Sequence, residues 1–377
     1  MRIGVTLESF KLRWGGIRVY TEEIVKHLLK LDHENEYVLI YPSLDISCDL
    51  LGRYQREYKN VEEVEANSLR VPSGLYWDQV VVPKVARRYG IDVLFNPFLS
   101  VPILGRFKKV MIIHAVEYHT VPKVYNWKLC MRWYFIEKVL MPAADRVISI
   151  SNVMTQDLRR SVRYPIENIR TIYHGVSEKF RVIQDEDELQ DVKERYRLPD
   201  EFILFVGHIY PQKNFANLVK AFHLIAKEIP HDLVVVGSPR WKYRDDLRLV
   251  DELALRDRVH FRPDVPNDDL PAIYNLASCL VFPSLYECFG LVQLEAMACG
   301  CPVVGARTGA IPEISGGAAV LVDPLSPPEM AAFVLQVLRD EALRASLVTK
   351  GLARAQEFSW ERCAAATLRV LEEVAEG

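Results

Sequence analysis

The sequence predicts an α/β protein of two doubly wound domains, each built on a parallel sheet. The chain has 377 residues, more than a single hydrophobic core usually organises, so two domains are the natural division. Short apolar runs alternate with stretches of helical period from the N-terminus onward, the pattern of repeated βαβ units. The alternation breaks once, at Asp185-Glu186-Asp187-Glu188, and then begins again.

In the first half, Arg-Ile-Gly-Val-Thr-Leu at 2–7 reads as a buried strand, followed by a helix over 17–31 and a strand at 37–41. Further strands are expected at 93–95, 110–114, 146–149 and 169–173, with a long amphipathic stretch at 125–141. The first Rossmann-like domain is placed at 1–178, with 176–200 read as a linker and first helix. Strand runs at 202–206, 232–236, 259–261, 279–282, 302–305 and 319–322 then give a second parallel sheet and a second Rossmann-like domain at 179–358. The last segment, 359–377, is an amphipathic helix with enough apolar residues to need a partner surface, and it is expected to pack back on the N-terminal domain. Two facing domains of this kind would place ligands in a cleft outside the carboxyl ends of the strands, where helix N-termini collect anions.

Composition narrows the class. With 50% hydrophobic and 26% charged residues the chain is globular rather than disordered or fibrous. No apolar run reaches the roughly 18 residues that cross a bilayer, and the N-terminus enters a strand rather than a signal peptide, so a cytoplasmic protein is expected. Its 7 cysteines are odd in number and form no Cys-x-x-Cys pair, which fits free thiols in a reducing compartment. Charge is uneven: residues 1–170 carry 25 Lys/Arg against 19 Asp/Glu, and the rest 22 against 31. The basic N-terminal half suggests an anionic partner, including peripheral contact with the inner face of a membrane, although solvated helix faces explain it equally well. No nucleic-acid partner is expected.

The most informative segment follows the strand at 279–282. Glu287 and Glu295 lie eight positions apart, the second within a helix that starts near Phe289 or Gly290 and stops at Gly300 ahead of Pro302. Glu295 sits among Leu294, Ala296, Met297 and Ala298, where a carboxylate is costly without a partner. Two acids bracketing a phosphate-accepting helix end suit a sugar nucleotide, whose ribose offers two hydroxyl donors to one carboxylate. A capped helix with one acid paired to a base is the plainer alternative.

Glu-x7-Glu with Cys288-Phe289-Gly290-Leu291 inside it, then Glu-Ala-Met-Ala-Cys-Gly-Cys-Pro-Val-Val and Gly-Ala-Ile-Pro-Glu at 309–313, resembles the retaining glycosyltransferases of family four, of GT-B fold. The resemblance covers most of the chain and is strongest at 203–214 and 283–325. It implies an acceptor-binding domain first and a nucleotide-sugar donor domain second. Gly207-His208-Ile209-Tyr210-Pro211-Gln212-Lys213 is similar to the family's donor loop, in which the lysine binds the donor diphosphate; His208 stands where the family commonly has Arg. Gly15-Gly16, opening a helix after the first strand, is similar to the family's N-terminal diglycine, which lets substrate approach the backbone. His114 ends a strand where the family has His-Asp; here Ala115 replaces the Asp, and the resemblance places His114 near the reacting centre.

The resemblance therefore implies His114, Lys213 and Glu287 as catalytic residues, with Gly15, Gly16, Gly207, His208, Cys288, Phe289, Gly290, Leu291 and Glu295 joining Lys213 and Glu287 in binding the donor. The implied reaction moves a hexose, mannose from GDP-mannose rather than a UDP-sugar, to a glycan or lipid-linked acceptor hydroxyl with retention of configuration. No cofactor or metal is expected. His114, Glu117 and His119 lack the helical spacing of a zinc motif, and Asp185-x-Asp187 lies in an acidic linker. The mixed basic and aromatic run Tyr125 to Phe135 reads either as an interfacial helix or as a core helix with snorkelling cations. A dehydrogenase is rejected, since Gly-x-Gly-x-x-Gly is absent and no acid ends the strand at 37–41. Remaining alternatives are a catalytically silent sugar-nucleotide-binding protein and another GT-B enzyme such as a sugar-nucleotide epimerase.

Overall fold

The computed structural model describes residues 1–11, 15–42, 52–66, 74–98, 100–115, 127–162 and 164–377. It divides into two compact units, Met1–Gly175 with Ser359–Gly377, and Val176–Phe358.

The first unit holds β1 (Arg2–Thr6), β2 (Glu36–Pro42), β3 (Val61–Ala66), β4 (Val93–Asn96), β5 (Lys108–Ile113), β6 (Arg146–Ser149) and β7 (Ile169–Thr171). Their order is β3-β2-β1-β4-β5-β6-β7, and every pairing is parallel. Ile3, Val5, Val93, Leu94, Phe95, Ile112 and Ile113 are buried on both faces of the sheet, as a parallel sheet covered by helices requires. The edge strand β3 adds to the strands that the sequence predicts. Its sequence Val-Glu-Glu-Val-Glu-Ala shows no apolar run, because only its ends are buried.

The second unit holds β8 (Phe202–Val206), β9 (Asp232–Val236), β10 (Val259–Arg262), β11 (Cys279–Phe282), β12 (Val303–Ala306) and β13 (Val320–Val322). Their order is β10-β9-β8-β11-β12-β13, again parallel throughout. Both sheets thus repeat the doubly wound order, with one switch point between β1 and β4 and another between β8 and β11. This is the fold class that the βα alternation predicted. Phe205, Phe215, Phe222, Val235 and Val281 form the heart of the second core, where the helices Phe215–Ile225 and Pro327–Arg339 cover the sheet.

The acidic segment at 185–188 does local work. The Asp185 carboxylate accepts from the amides of Asp187 and Glu188 at 3.0 and 3.2 Å, capping the helix Glu186–Arg195. The C-terminal helix Trp360–Glu376 belongs to the first unit and lies against the helix Gly16–Leu31. Trp360, Cys363, Ala364, Val370, Leu371 and Val374 are its buried apolar residues. Gly175 permits the approach, since a Cβ there would meet the Trp360 amide nitrogen at 2.2 Å. In the expected helix at 125–141, Tyr125 and Asn126 lie outside the described residues; the rest forms the helix Trp127–Phe135, a π turn Ile136–Leu140 and a short 3-10 turn Met141–Ala143.

Candidate active site

In a doubly wound sheet the loops leaving the two strands at the switch point converge, so residues distant in sequence become neighbours. In the second unit β8 runs into Gly207 and β11 into Pro283. From the first loop comes Lys213, in a 3-10 turn Pro211–Lys213; from the second comes Glu287. The Lys213 Nζ donates to Glu287 Oε1 at 2.5 Å, and both side chains are about seven-eighths buried, at 14% and 13% exposure. The ammonium also lies 5.4 Å from the centroid of the Phe282 ring.

Backbone contacts fix the loop that carries Glu287. The Gln212 side-chain amide donates to the Tyr286 carbonyl at 2.8 Å, and the Asn214 amide to the carbonyls of Pro283 and Pro324 at 3.0 and 2.7 Å. From the loop that leaves β12, the Thr308 hydroxyl donates to the Ser284 carbonyl at 3.0 Å, and the Ala310 amide to the Glu287 carbonyl at 2.9 Å. Gly309 is required between them: it has φ +55°, and a Cβ there would sit 2.5 Å from the Glu287 oxygen. Cys288 and Phe289, in the same loop, are buried, and Gly290, at φ +99°, opens the helix Leu291–Ala298.

That helix carries Glu295 away from the Lys213 ion pair to a partner of its own. The Tyr274 hydroxyl, on the helix Leu270–Leu276, donates to Glu295 Oε2 at 3.1 Å. Burial pushes the Glu295 carboxyl up to about 7, against the opposing pull of the Tyr274 hydrogen bond and the Lys179 charge. The Tyr274 phenol is itself driven well above its ordinary range by burial and by Glu295.

His208 follows Gly207 directly. Its imidazole pKa falls below the ordinary value of 6.5 through burial and then the charge of Arg240, with Lys213 adding to the same effect against a backbone contact to Ser238. The ring is therefore neutral near pH 7. A base at this position does not contribute a cation there.

The remaining expected residues lie in the first unit. Gly15 has φ +134° and nothing within 4 Å of where a Cβ would point, so its glycine serves the backbone turn that starts the helix Gly16–Leu31. His114, just past β5, donates from Nε2 to the Pro97 carbonyl at 2.9 Å. Its ring packs edge-on to Tyr20, with centroids 4.9 Å apart, and 5.6 Å from His174, which stacks on Trp360. Burial lowers the His114 pKa to about 4, so the imidazole is neutral over the physiological range. Glu117 and His119, weighed above as metal ligands beside His114, lie outside the described residues.

Sequence reading missed Gln212, Asn214, Thr308 and Tyr274, which hold the expected residues in place. Their only signal is position, on loops and helix ends at the carboxyl side of the second sheet. It also missed His174 and Trp360, because nothing in a linear sequence joins residues so far apart.

Comparisons with known proteins agree with this arrangement. Residues 186–354 match the family model described as Glycosyl transferases group 1, and residues 14–180 the one described as Glycosyltransferase Family 4. The chain is 28% identical over 397 aligned residues to O-antigen chain mannosyltransferase B of Escherichia coli, covering 98% of both. It is 31% identical over 395 residues to D-inositol 3-phosphate glycosyltransferase of Streptomyces bingchenggensis (strain BCW-1), covering 96% of this chain and 86% of that one. Among solved structures, Anabaena HepE in complex with UDP-glucose matches with a TM-score of 0.77 at 19% identity, covering 99% of this chain and 100% of that one. Fold and matches together define a GT-B glycosyltransferase. The chain belongs to the group 1 glycosyltransferases of family four.

Proposed function

We propose that this glycosyltransferase transfers a hexose, mannose from GDP-mannose, to a hydroxyl of a glycan or lipid-linked acceptor, with retention of configuration and without a metal ion. The observation that carries the donor site is the meeting of Lys213 and Glu287 at the switch point of the second sheet, from loops 74 residues apart. In this reading Lys213 binds the diphosphate, Glu287 the hexose hydroxyls and Glu295 the ribose diol, while the amides of Phe289 to Leu291 and the turns at Gly207 and Gly15-Gly16 leave room for phosphate and sugar. The mannosyl choice is supported by the relationship to an O-antigen chain mannosyltransferase.

Retention follows family four chemistry. The acceptor oxygen forms its bond to the anomeric carbon on the face from which the nucleoside diphosphate leaves, the anomeric carbon to phosphate-oxygen bond breaks, and the acceptor proton passes to the departing phosphate. Charge that accumulates on that phosphate is what Lys213 is placed to stabilise. His114, neutral and held by Pro97, is assigned to contact with the transferred sugar or acceptor.

A lipid-linked acceptor would bring the first unit to a membrane surface, and one helix face suits that role. Trp127, Met131 and Tyr134 are 69%, 63% and 59% exposed at spacings of four and three, flanked by exposed Lys128, Arg132 and Lys138, while the acid in the stretch, Glu137, is buried. No helix among the described residues is long and apolar enough to cross a membrane.

A thermal-shift panel of GDP-mannose, UDP-glucose, UDP-GlcNAc, UDP-galactose, GDP and UDP tests the donor. Stabilisation by GDP-mannose and GDP alone is expected. A shift confined to uridine nucleotides would overturn the choice of base, and no shift with any of them would overturn the donor site.

A further inference from the structure

Three basic side chains gather where β8 ends: Lys213, His208 and Arg240. They are not equivalent. Lys213 shares its charge with Glu287 at 2.5 Å, and His208 is neutral near pH 7. Arg240 is exposed, and its guanidinium makes no hydrogen bond or ion pair among the described residues.

The position of Arg240 is fixed by the backbone. The loop that leaves β9 stays zipped to the loop that leaves β8, extending the parallel pairing beyond both strands. The Gly207 amide donates to the Val236 carbonyl at 2.9 Å, Ile209 to Ser238 at 3.1 Å, and Arg240 to Ile209 at 3.0 Å. Close approach depends on two glycines: Gly207 and Gly237 take φ +148° and +135°, and a Cβ on Gly237 would lie 2.3 Å from the Gly207 oxygen. The zipper therefore delivers Arg240 from a neighbouring strand to the side of His208, at the same end of the sheet as Lys213.

We propose that Arg240, delivered from the β9 loop to the end of β8, binds the diphosphate of the sugar-nucleotide donor together with Lys213. This rests on the donor-site reading above. A donor diphosphate carries two negative charges, and Lys213 already has Glu287 to satisfy. A guanidinium adds a fixed charge and a planar fork that grips two oxygens at once, and it does not titrate in the working range.

Calorimetric titration of GDP and UDP into the full chain, as wild type, Arg240→Ala, Arg240→Lys and Arg248→Ala, tests the proposal. Arg248 is an exposed arginine of the following helix Arg244–Glu252, paired with Asp245, and serves as the control for loss of a surface charge. Arg240→Ala is expected to weaken the binding nucleotide about tenfold, with Arg240→Lys recovering part of the loss and Arg248→Ala unchanged. Because Arg240 is exposed on a loop, equal melting temperatures without nucleotide verify that each variant folds. Wild-type affinity in Arg240→Ala, or an equal loss in Arg248→Ala, overturns the role of Arg240 and leaves the donor site standing. Failure of wild type to bind either nucleotide overturns the donor site, and this proposal with it.

Discussion

Two carboxylates, Glu287 and Glu295, sit eight residues apart in the sequence and end in opposite electrostatic settings. Glu287 is matched by an ammonium at 2.5 Å, so its charge is balanced within the protein. Among the described residues Glu295 has only a phenol at 3.1 Å and a more distant lysine, and burial raises its carboxyl from 4.5 to about 7. The sign of the consequence follows directly. The folded protein holds a proton there that the unfolded chain releases above about 4.5, so this group's contribution to stability is full below that pH and is lost as pH rises to about 7. Glu295→Gln removes the dependence, and its melting temperature should gain on wild type between pH 4.5 and 7 and hold the gain above. Donor binding should move the other way. Ribose hydroxyls donate better to a carboxylate than to a carboxylic acid, so wild-type affinity for GDP-mannose should climb from pH 6 to 8, whereas that of Glu295→Gln should stay flat. Parallel profiles for the two proteins would detach Glu295 from the ribose.

At the scale of elements, the site depends on how one loop is held. The segment 283–290 has no regular structure, yet side chains of Gln212, Asn214 and Thr308 and the amide of Ala310 bind carbonyls among its first five residues. Gly309, between two of these donors, has both a left-handed backbone and no space for a Cβ. Gly309→Ala should therefore cost about 1–3 kcal/mol in urea unfolding and displace Glu287, raising the donor dissociation constant with it. An alanine variant that is destabilised but binds donor normally would show that the loop's placement is not what positions Glu287. The helix Trp127–Phe135 raises the converse question, an element whose face is not covered by the described parts of its own unit. Wild type should sediment with phosphatidylglycerol vesicles at low salt and release at high salt, and Trp127→Ser with Met131→Ser should abolish the binding. Absence of wild-type binding would remove the membrane contact from the proposed function. Sequence alone left this helix undecided between core and interface, since periodicity shows that a face is apolar without showing what covers it.

For the whole molecule, what was legible follows from burial. Central parallel strands are covered on both faces, so β1, β4, β5, β8, β9 and β11 stand out as apolar runs, while the edge strand β3, with three glutamates, does not. The motif residues of the donor site were readable one by one; their pairing was not, because Lys213 and Glu287 meet only when β8 and β11 become neighbours. Tertiary pairing also decides the fate of the C-terminal helix. Its amphipathic period showed that it needs a surface, and the structure supplies that surface from the first unit, more than 180 residues back along the chain. The first unit is thus assembled from two separate stretches of chain, and its core is incomplete without residues 359–377. Trp360, buried against His174 and Tyr20, anchors this closure, and the Ser359 hydroxyl caps its helix by accepting from the Arg362 amide at 3.2 Å. Trp360→Ala should cost about 3–5 kcal/mol by urea unfolding, because the surrounding rings cannot close over the space. A chain ending at Phe358 should lose more, exposing the apolar surface that the helix covers and sedimenting as aggregate, while the same deletion with the helix supplied as a separate peptide should recover part of the soluble fraction. If the shortened chain stays monomeric with wild-type unfolding, the helix is an appendage and the first unit closes without it.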